Sequence, residues 1–159
     1  MGHQETASRP TSWALLPPGI QSVADAQHCV DLGVDGIVVS NHAGRQVDGA
    51  IASLDALENI MYAGVGEKLT VMFDSGVRGS SDVIKALCIG AKFVWVGRLY
   101  VYGLACMGEG DVRHVFKSLL AEFDISMLTA GFRTVGEMQK DRLERYPKSY
   151  ILISEKAKL

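Results

Sequence analysis

The chain has 159 residues, 48% of them apolar, and a formal net charge of −2. That composition suits one domain with a real core and leaves no basic excess to draw nucleic acid or an anionic membrane surface. No stretch is long and apolar enough to span a bilayer. Cys29, Cys88 and Cys106 lack ligand-type spacing, so the expectation is a cytoplasmic protein with three small buried thiols.

Residues 1–18 are polar, lack periodicity and read as a disordered leader unrelated to the rest of the chain. Trp13-Ala14-Leu15-Leu16 could open a strand, but Pro17-Pro18 is expected to cut it short, since proline removes a ladder donor. From Gly19 the pattern becomes regular. Ser22, with Asp25 three residues on, predicts a capped helix to about Leu32 that stops at Gly33, with Val23, Ala26 and Val30 on its apolar face. Gly36-Ile37-Val38-Val39 is short and β-branched, the mark of a buried strand, and it delivers Ser40-Asn41-His42-Ala43-Gly44-Arg45-Gln46 at its tip. Ser53 or Leu54 opens the next helix, whose buried side is Leu54, Leu57, Ile60 and Met61, and Gly64 and Gly66 close it.

Leu69-Thr70-Val71-Met72-Phe73 is the second clear strand, ending in Asp74-Ser75-Gly76-Val77-Arg78-Gly79. Ser80 or Ser81 is expected to cap a helix over 82–89 that Gly90 terminates. Phe93-Val94-Trp95-Val96 reads as the third strand, with Gly97-Arg98 at its tip and a helix over 99–107. A long amphipathic helix comes next over 111–130, with Val112, Val115, Phe116, Leu119, Leu120, Phe123 and Met127 expected as core. Thr134 and Glu137 suggest a last capped helix, and residues 139–159 read as a charged C-terminal tail.

Strands alternating with helices indicate a parallel α/β sheet, and no Gly-x-Gly-x-x-Gly follows the first strand, which weighs against a dinucleotide-binding domain. The polar residues gather after each strand, as at the C-terminal face of a (β/α)8 barrel. His42 is a possible proton acceptor near neutral pH, and Arg45 offers a donor fork suited to a carboxylate or phosphate. Gly76, Gly79 and Gly97 let backbone amides approach an anion, with Arg78, Arg98 and the helix opening at Ser80 adding positive charge. Asp74 would repel a phosphate and suits ligand hydroxyls. Ordinary βα turns with solvated arginines are the plain alternative, and two successive tips sharing one chemistry weigh against it.

In their order and spacing, Ser40-Asn41-His42-Ala43-Gly44-Arg45-Gln46, Asp74-Ser75-Gly76-Val77-Arg78-Gly79 and Gly97-Arg98 resemble three motifs of the FMN-dependent α-hydroxy-acid oxidase and dehydrogenase family. The resemblance runs from about Gly19 to Met138 and implies the C-terminal portion of a (β/α)8 TIM barrel, incomplete in this chain. Ala43, Val47-Asp48-Gly49-Ala50 and Leu99-Tyr100-Val101-Tyr102-Gly103-Leu104 look closest to the lactate 2-monooxygenase branch. The resemblance implies a small 2-hydroxy acid as substrate, His42 as catalytic base and Arg45 as carboxylate clamp. It further implies FMN as cofactor, with Asp74 on the ribityl hydroxyls and Ser75, Gly76, Arg78, Gly97 and Arg98 around the phosphate. Ser40 and Asn41 are expected only to support the His42 turn.

The departures from that family are equally specific. Its members carry a lysine on the strand just before Gly19-Ile20, where Pro17 and Pro18 stand here. Earlier strands of the family bring two tyrosines and an aspartate that orients the histidine, and no residue here corresponds. Eight strands close such a barrel, whereas three are clear here with a stub around Ile20, so open edges and a tendency to associate are expected. A non-catalytic remnant that binds FMN, a phosphate ligand or a partner chain is therefore the alternative to an oxidoreductase. A third reading, another phosphate-binding barrel enzyme, fits the His42/Arg45 pair less well.

Overall fold

A computed structural model describes residues 15–144. Its framework is a parallel four-stranded sheet in the order β1-β2-β3-β4, formed by Pro18–Ile20, Gly36–Val39, Thr70–Phe73 and Phe93–Val94. The helices α1 (Val23–Leu32), α2 (Ser53–Tyr62) and α3 (Ser80–Ile89) connect successive strands, and α4 (Arg98–Met107) and α5 (Glu109–Thr129) follow the last. Repeated strand–helix–strand units with parallel pairing make a segment of a (β/α)8 barrel.

Register decides what each face holds. Val38, Met72 and Phe93 are direct partners across the sheet, as are Val39, Phe73 and Val94 in the next row. Side chains alternate along a strand, so these two rows point to opposite faces. The Val39 row packs under the helices: Ile37, Val39, Val71 and Phe73 share one apolar cluster with Ala26 of α1, Leu57 and Ile60 of α2, and Ala86 of α3. The Val38 row, with Trp95 two residues beyond Phe93, forms the inner face. Close approach between strands also explains Gly36, where a Cβ would sit 2.4 Å from the Thr70 carbonyl oxygen.

The first helix is capped as its sequence predicts. Ser22 Oγ accepts from the Asp25 amide at 3.0 Å and donates to the Asp25 carboxylate at 2.7 Å, which satisfies a donor the helix itself leaves unpaired. Other expectations need correction. The strand stub begins at Pro18 rather than being cut there: Pro17 offers its carbonyl to the Val38 amide, and Leu15 exchanges bonds with Asp35. Proline is tolerated because it opens an edge strand, where no ladder donor is needed. Residues 15–18 of the expected leader are thus tied to the sheet, while residues 1–14, including Trp13, lie outside the described residues.

The third strand is two residues shorter than its apolar run, although the Trp95 amide still donates to the Phe73 carbonyl at 2.8 Å. Thr134 precedes and Glu137 ends only a single 3-10 turn, Val135–Glu137, with no side-chain cap from Thr134. From the expected tail, Lys140 reaches Glu58 of α2 at 3.0 Å, and residues 145–159 lie outside the described residues.

The largest departure is α5. Its apolar stripe is expected in the core, yet no residue of the helix is buried, and Leu120 is 62% exposed. Only Phe123 and Met127 join a small second cluster with Cys88, Phe132 and Met138. Phe93 and Trp95 on the inner face are likewise 59% and 55% exposed. Helical periodicity marks which side of a helix is apolar; whether another layer covers that side depends on the rest of the fold.

The cysteines also divide. Cys29 and Cys88 are buried, but Cys106 on α4 is exposed, contrary to expectation. Burial, followed by the nearby Asp141 charge, pushes the Cys88 thiol above its ordinary range against a lowering hydrogen bond from the Gln139 backbone. A thiol-specific reagent at mildly alkaline pH should therefore label Cys106 rapidly, and Cys88 only on unfolding. Because the unfolded thiol ionises first, the Cys88 contribution to stability is intact below the ordinary thiol range and is lost as pH rises from there through the raised value of the folded thiol. Rapid labelling of Cys88 in the folded chain would contradict this placement.

Candidate active site

The three strand tips converge. Ser40 follows β2, Asp74 and Ser75 follow β3, and Arg98 opens α4. His42, Ala43 and Gly44 form a 3-10 turn behind Asn41, whose side-chain oxygen accepts from the Gly44 amide at 3.0 Å. Asn41 is itself fixed by Ser53 Oγ, which accepts its amide at 2.9 Å, and by the Ile51 carbonyl, to which its side-chain amide donates at 3.2 Å. Ser40 and Asn41 thus support the turn as expected. Ser53, buried at the start of α2, joins them; a helix-opening serine carries no local sequence signal for this contact.

Backbone strain concentrates here. Among the described residues three non-glycines have positive φ: His42 at 53°, Ala43 at 58° and Ser75 at 83°. Each such conformation costs on the order of 1–3 kcal/mol and persists only where neighbours over-determine it. The neighbours are hydroxyls and an arginine. Ser40 Oγ accepts from the His42 amide at 3.0 Å, and Ser75 Oγ accepts from the Ala43 amide at 2.9 Å. Arg98 donates to the Ala43 carbonyl at 3.1 Å, which links the third tip to the first.

A cleft of about 740 Å³ opens over these tips. His42, Arg45, Asp74, Ser75, Gly76, Arg78, Gly97 and Arg98 all line it, with Val38 and Trp95 of the inner face and Pro18 at the β1 edge. These eight residues therefore meet in one cavity, whereas Gly79, also expected in the anion cradle, does not line it. His42, Arg45, Arg78 and Arg98 are exposed to it, and the three guanidinium charges outweigh Asp74, which favours an anionic ligand. Neither Arg45 nor Arg78 makes a side-chain hydrogen bond or ion pair among the described residues.

Two expectations about the anion cradle change. Gly79, not Ser80 or Ser81, is the N-cap of α3, and it offers no side-chain bond. Ser80 is the first helical residue; its amide is accepted by Glu122 of α5 at 3.1 Å and its hydroxyl pairs with Ser126 at 2.7 Å. A carboxylate from another helix thus sits on the α3 N-terminus, where the sequence suggested charge left open for a phosphate. Glu122→Ala should cost about 0.5–2 kcal/mol of stability, the usual range for a lost cap, read as a lower urea midpoint. No shift would mean that this contact contributes nothing in solution.

The residues fit a phosphorylated cofactor with hydroxyls. Gly76 has φ +80° and no atom within 4 Å of a Cβ built there, and Gly97 is equally open, so backbone can approach a ligand at both tips. Arg98 retains donors beyond the one on Ala43, since a guanidinium has five. One Asp74 oxygen is held by Ser75 at 2.5 Å, and a carboxylate has further lone pairs for ligand hydroxyls.

Parallel strands with their polar tips around one cleft define a portion of a (β/α)8 barrel with its site at the C-terminal face. The family follows from comparison: residues 8–145 match the model of FMN-dependent dehydrogenases, and the chain belongs to that family. It is 55% identical over 135 residues to an FMN-dependent alpha-hydroxy acid dehydrogenase of Penicillium citrinum, covering 84% of this chain and 33% of that protein. It is 44% identical over 133 residues to L-lactate oxidase of Lentilactobacillus hilgardii, covering 84% and 36%. Flavocytochrome b2 with sulfite bound aligns with a TM-score of 0.79 at 32% identity, over 91% of this chain and 41% of that one. Mandelate oxidase with benzoyl-formic acid aligns at 0.77 and 40% identity, over 81% and 38%. The chain spans about a third of the length of the curated relatives it matches. Among the described residues no helix is long and apolar enough to cross a membrane.

Proposed function

We propose that this chain carries the base, the substrate clamp and the cofactor cradle of an FMN-dependent oxidation of a small L-2-hydroxy acid such as lactate. The observation that supports it is the single cleft lined by His42 and Arg45 together with Asp74, Gly76, Arg78, Gly97 and Arg98. Oxidising a 2-hydroxy acid to a 2-oxo acid removes two electrons and two protons. FMN, when bound, would accept the two electrons together with one of the protons, which leaves the other proton for a base. His42 takes a proton from the substrate, which places an imidazolium in the cleft. Arg45 grips the carboxylate through two parallel donors and fixes the reacting carbon. Asp74 accepts from ribityl hydroxyls, and Ser75, Gly76, Arg78, Gly97 and Arg98 surround the phosphate. Ala43, the 47–50 segment and the 99–104 segment favour a lactate 2-monooxygenase-like branch, which the products of aerobic turnover would distinguish from an oxidase. Exposed Phe93 and Trp95 on the inner face of the sheet, and Leu120 on α5, favour association of the chain.

One observation favours the second reading, a remnant that binds FMN or phosphate without turnover. Pro18 lines the cleft at the β1 edge, where the family resemblance implies a lysine, and losing one preorganised charge of that kind is commonly worth about 3–4 kcal/mol. The discriminating experiment mixes the purified chain with FMN and L-lactate under anaerobic conditions and follows the flavin absorbance. Bleaching supports turnover, yellow protein without bleaching supports binding alone, and colourless protein contradicts both flavin readings, turnover and FMN binding, for the isolated chain.

A further inference from the structure

We propose that Ser75 is a positioning residue for the His42 turn, its hydroxyl coupling the Asp74 carboxylate to the left-handed backbone that presents the imidazole. For its functional meaning this inference rests on His42 being the base.

The hydrogen-bond directions are set by donor counts. A carboxylate only accepts, so the proton between Ser75 Oγ and Asp74 at 2.5 Å belongs to Ser75. With its single proton so used, Ser75 Oγ can only accept elsewhere. It does so from the Ala43 amide at 2.9 Å, and from Ser40 Oγ at 3.4 Å. Ser40 therefore donates to Ser75 and accepts from the His42 amide at 3.0 Å. The chain runs one way, from the amides of His42 and Ala43 through two hydroxyls to Asp74. Ser40 is buried, so water cannot readily replace it.

All three strained backbones of the site lie along this chain. Asp74 and Ser75 stand on one strand tip and His42 on its neighbour, 32 or more residues away in sequence. The Ser75 hydroxyl bonds to Asp74 on its own tip and to the Ala43 amide and the Ser40 hydroxyl on the other. This use of the hydroxyl differs from the anion-cradle role that the sequence suggested for Ser75. It leaves the Ser75 backbone to the cradle and turns the side chain toward the base.

Ser75→Gly tests the proposal without endangering the fold, because glycine accepts a φ of +83° more easily than serine. In the cofactor-free chain, backbone amide exchange at Ala43, whose acceptor is removed, is expected to rise about tenfold, the scale of one lost hydrogen bond, and exchange at His42, still held by Ser40 Oγ, to rise less. The Val38 amide, held by Pro17, should exchange as before, and the His42 ring proton cross-peak should shift or broaden. Ser40→Ala should expose the His42 amide while leaving Ala43 protected. Ala43 exchange within about twofold of the parent in Ser75→Gly, too small for a lost hydrogen bond, or an unmoved His42 cross-peak, would overturn the proposal. In the FMN-loaded chain, Ser75→Gly should slow flavin reduction by L-lactate more than it weakens FMN binding. A parent chain that binds no FMN contradicts the proposed function and leaves the amide result standing by itself.

Discussion

His42→Ala should eliminate anaerobic bleaching of bound FMN by L-lactate, lowering the rate roughly 100- to 10,000-fold, the range for loss of a general base. The imidazole is exposed to the cleft, so its removal leaves no buried group without a partner. It also leaves the turn intact, because the bonds that hold it come from the backbone of residues 42–44 and from Ser40, Asn41, Ser75 and Arg98. FMN affinity should therefore change by less than about threefold, as expected when no ligand contact to the cradle is lost. Arg45→Ala should act differently, weakening the binding of lactate and of unreactive carboxylates alike. Stopped-flow absorbance gives the rate and fluorescence quenching gives the affinity. Bleaching at the parent rate in His42→Ala would remove the imidazole from the mechanism; a parallel collapse of FMN binding would make it a structural residue.

Leu57→Ala should destabilise the chain by about 2–5 kcal/mol, the cost of a large-to-small change in a close-packed core. Leu57 has no exposed surface and sits between α2 and the helix-facing row of the sheet. Such a loss is a large share of the roughly 5–15 kcal/mol typical of a folded domain, so the urea midpoint should fall steeply with the slope unchanged. Leu120→Ala is the matched control. That residue also occupies an apolar helix stripe but is exposed, and its replacement should move stability by less than about 0.5 kcal/mol. Equal losses at the two positions would mean that the α5 stripe is covered in solution, through association or by a layer outside residues 15–144.

The contrast between Leu57 and Leu120 shows where sequence reading reaches its limit. Both helices announce themselves by apolar spacing, and both form. Spacing is a local property, set by the 3.6-residue turn, and it says which side is apolar without saying what faces it. α2 lies over the sheet and is buried; α5 packs on α3 and α4 and leaves Leu120, Ile125 and Leu128 in the open.

The same division runs through the site. His42, Arg45, Asp74, Gly76, Arg78, Gly97 and Arg98 were legible because strand tips collect polar and glycine residues, and parallel strands send all their tips to one side. Their convergence on one cleft is a consequence of that topology. The bonds of Ser53 with Asn41, Glu122 with Ser80 and Arg98 with Ala43 join residues 12 to 55 positions apart and have no sequence signal.

By itself, then, the sequence determined the order of strands and helices, the parallel sheet, and the residues that gather at its C-terminal face. Periodicity, caps and turn residues act over a few positions and need no tertiary partner. Only the tertiary structure decided which apolar faces are covered, which carboxylate sits on the α3 N-terminus, and how the Ser40 and Ser75 hydroxyls link the His42 turn to Asp74. Those outcomes depend on what the fold brings within about 3 Å, the reach of a hydrogen bond, and residues that distant in the chain carry no mark of their partners.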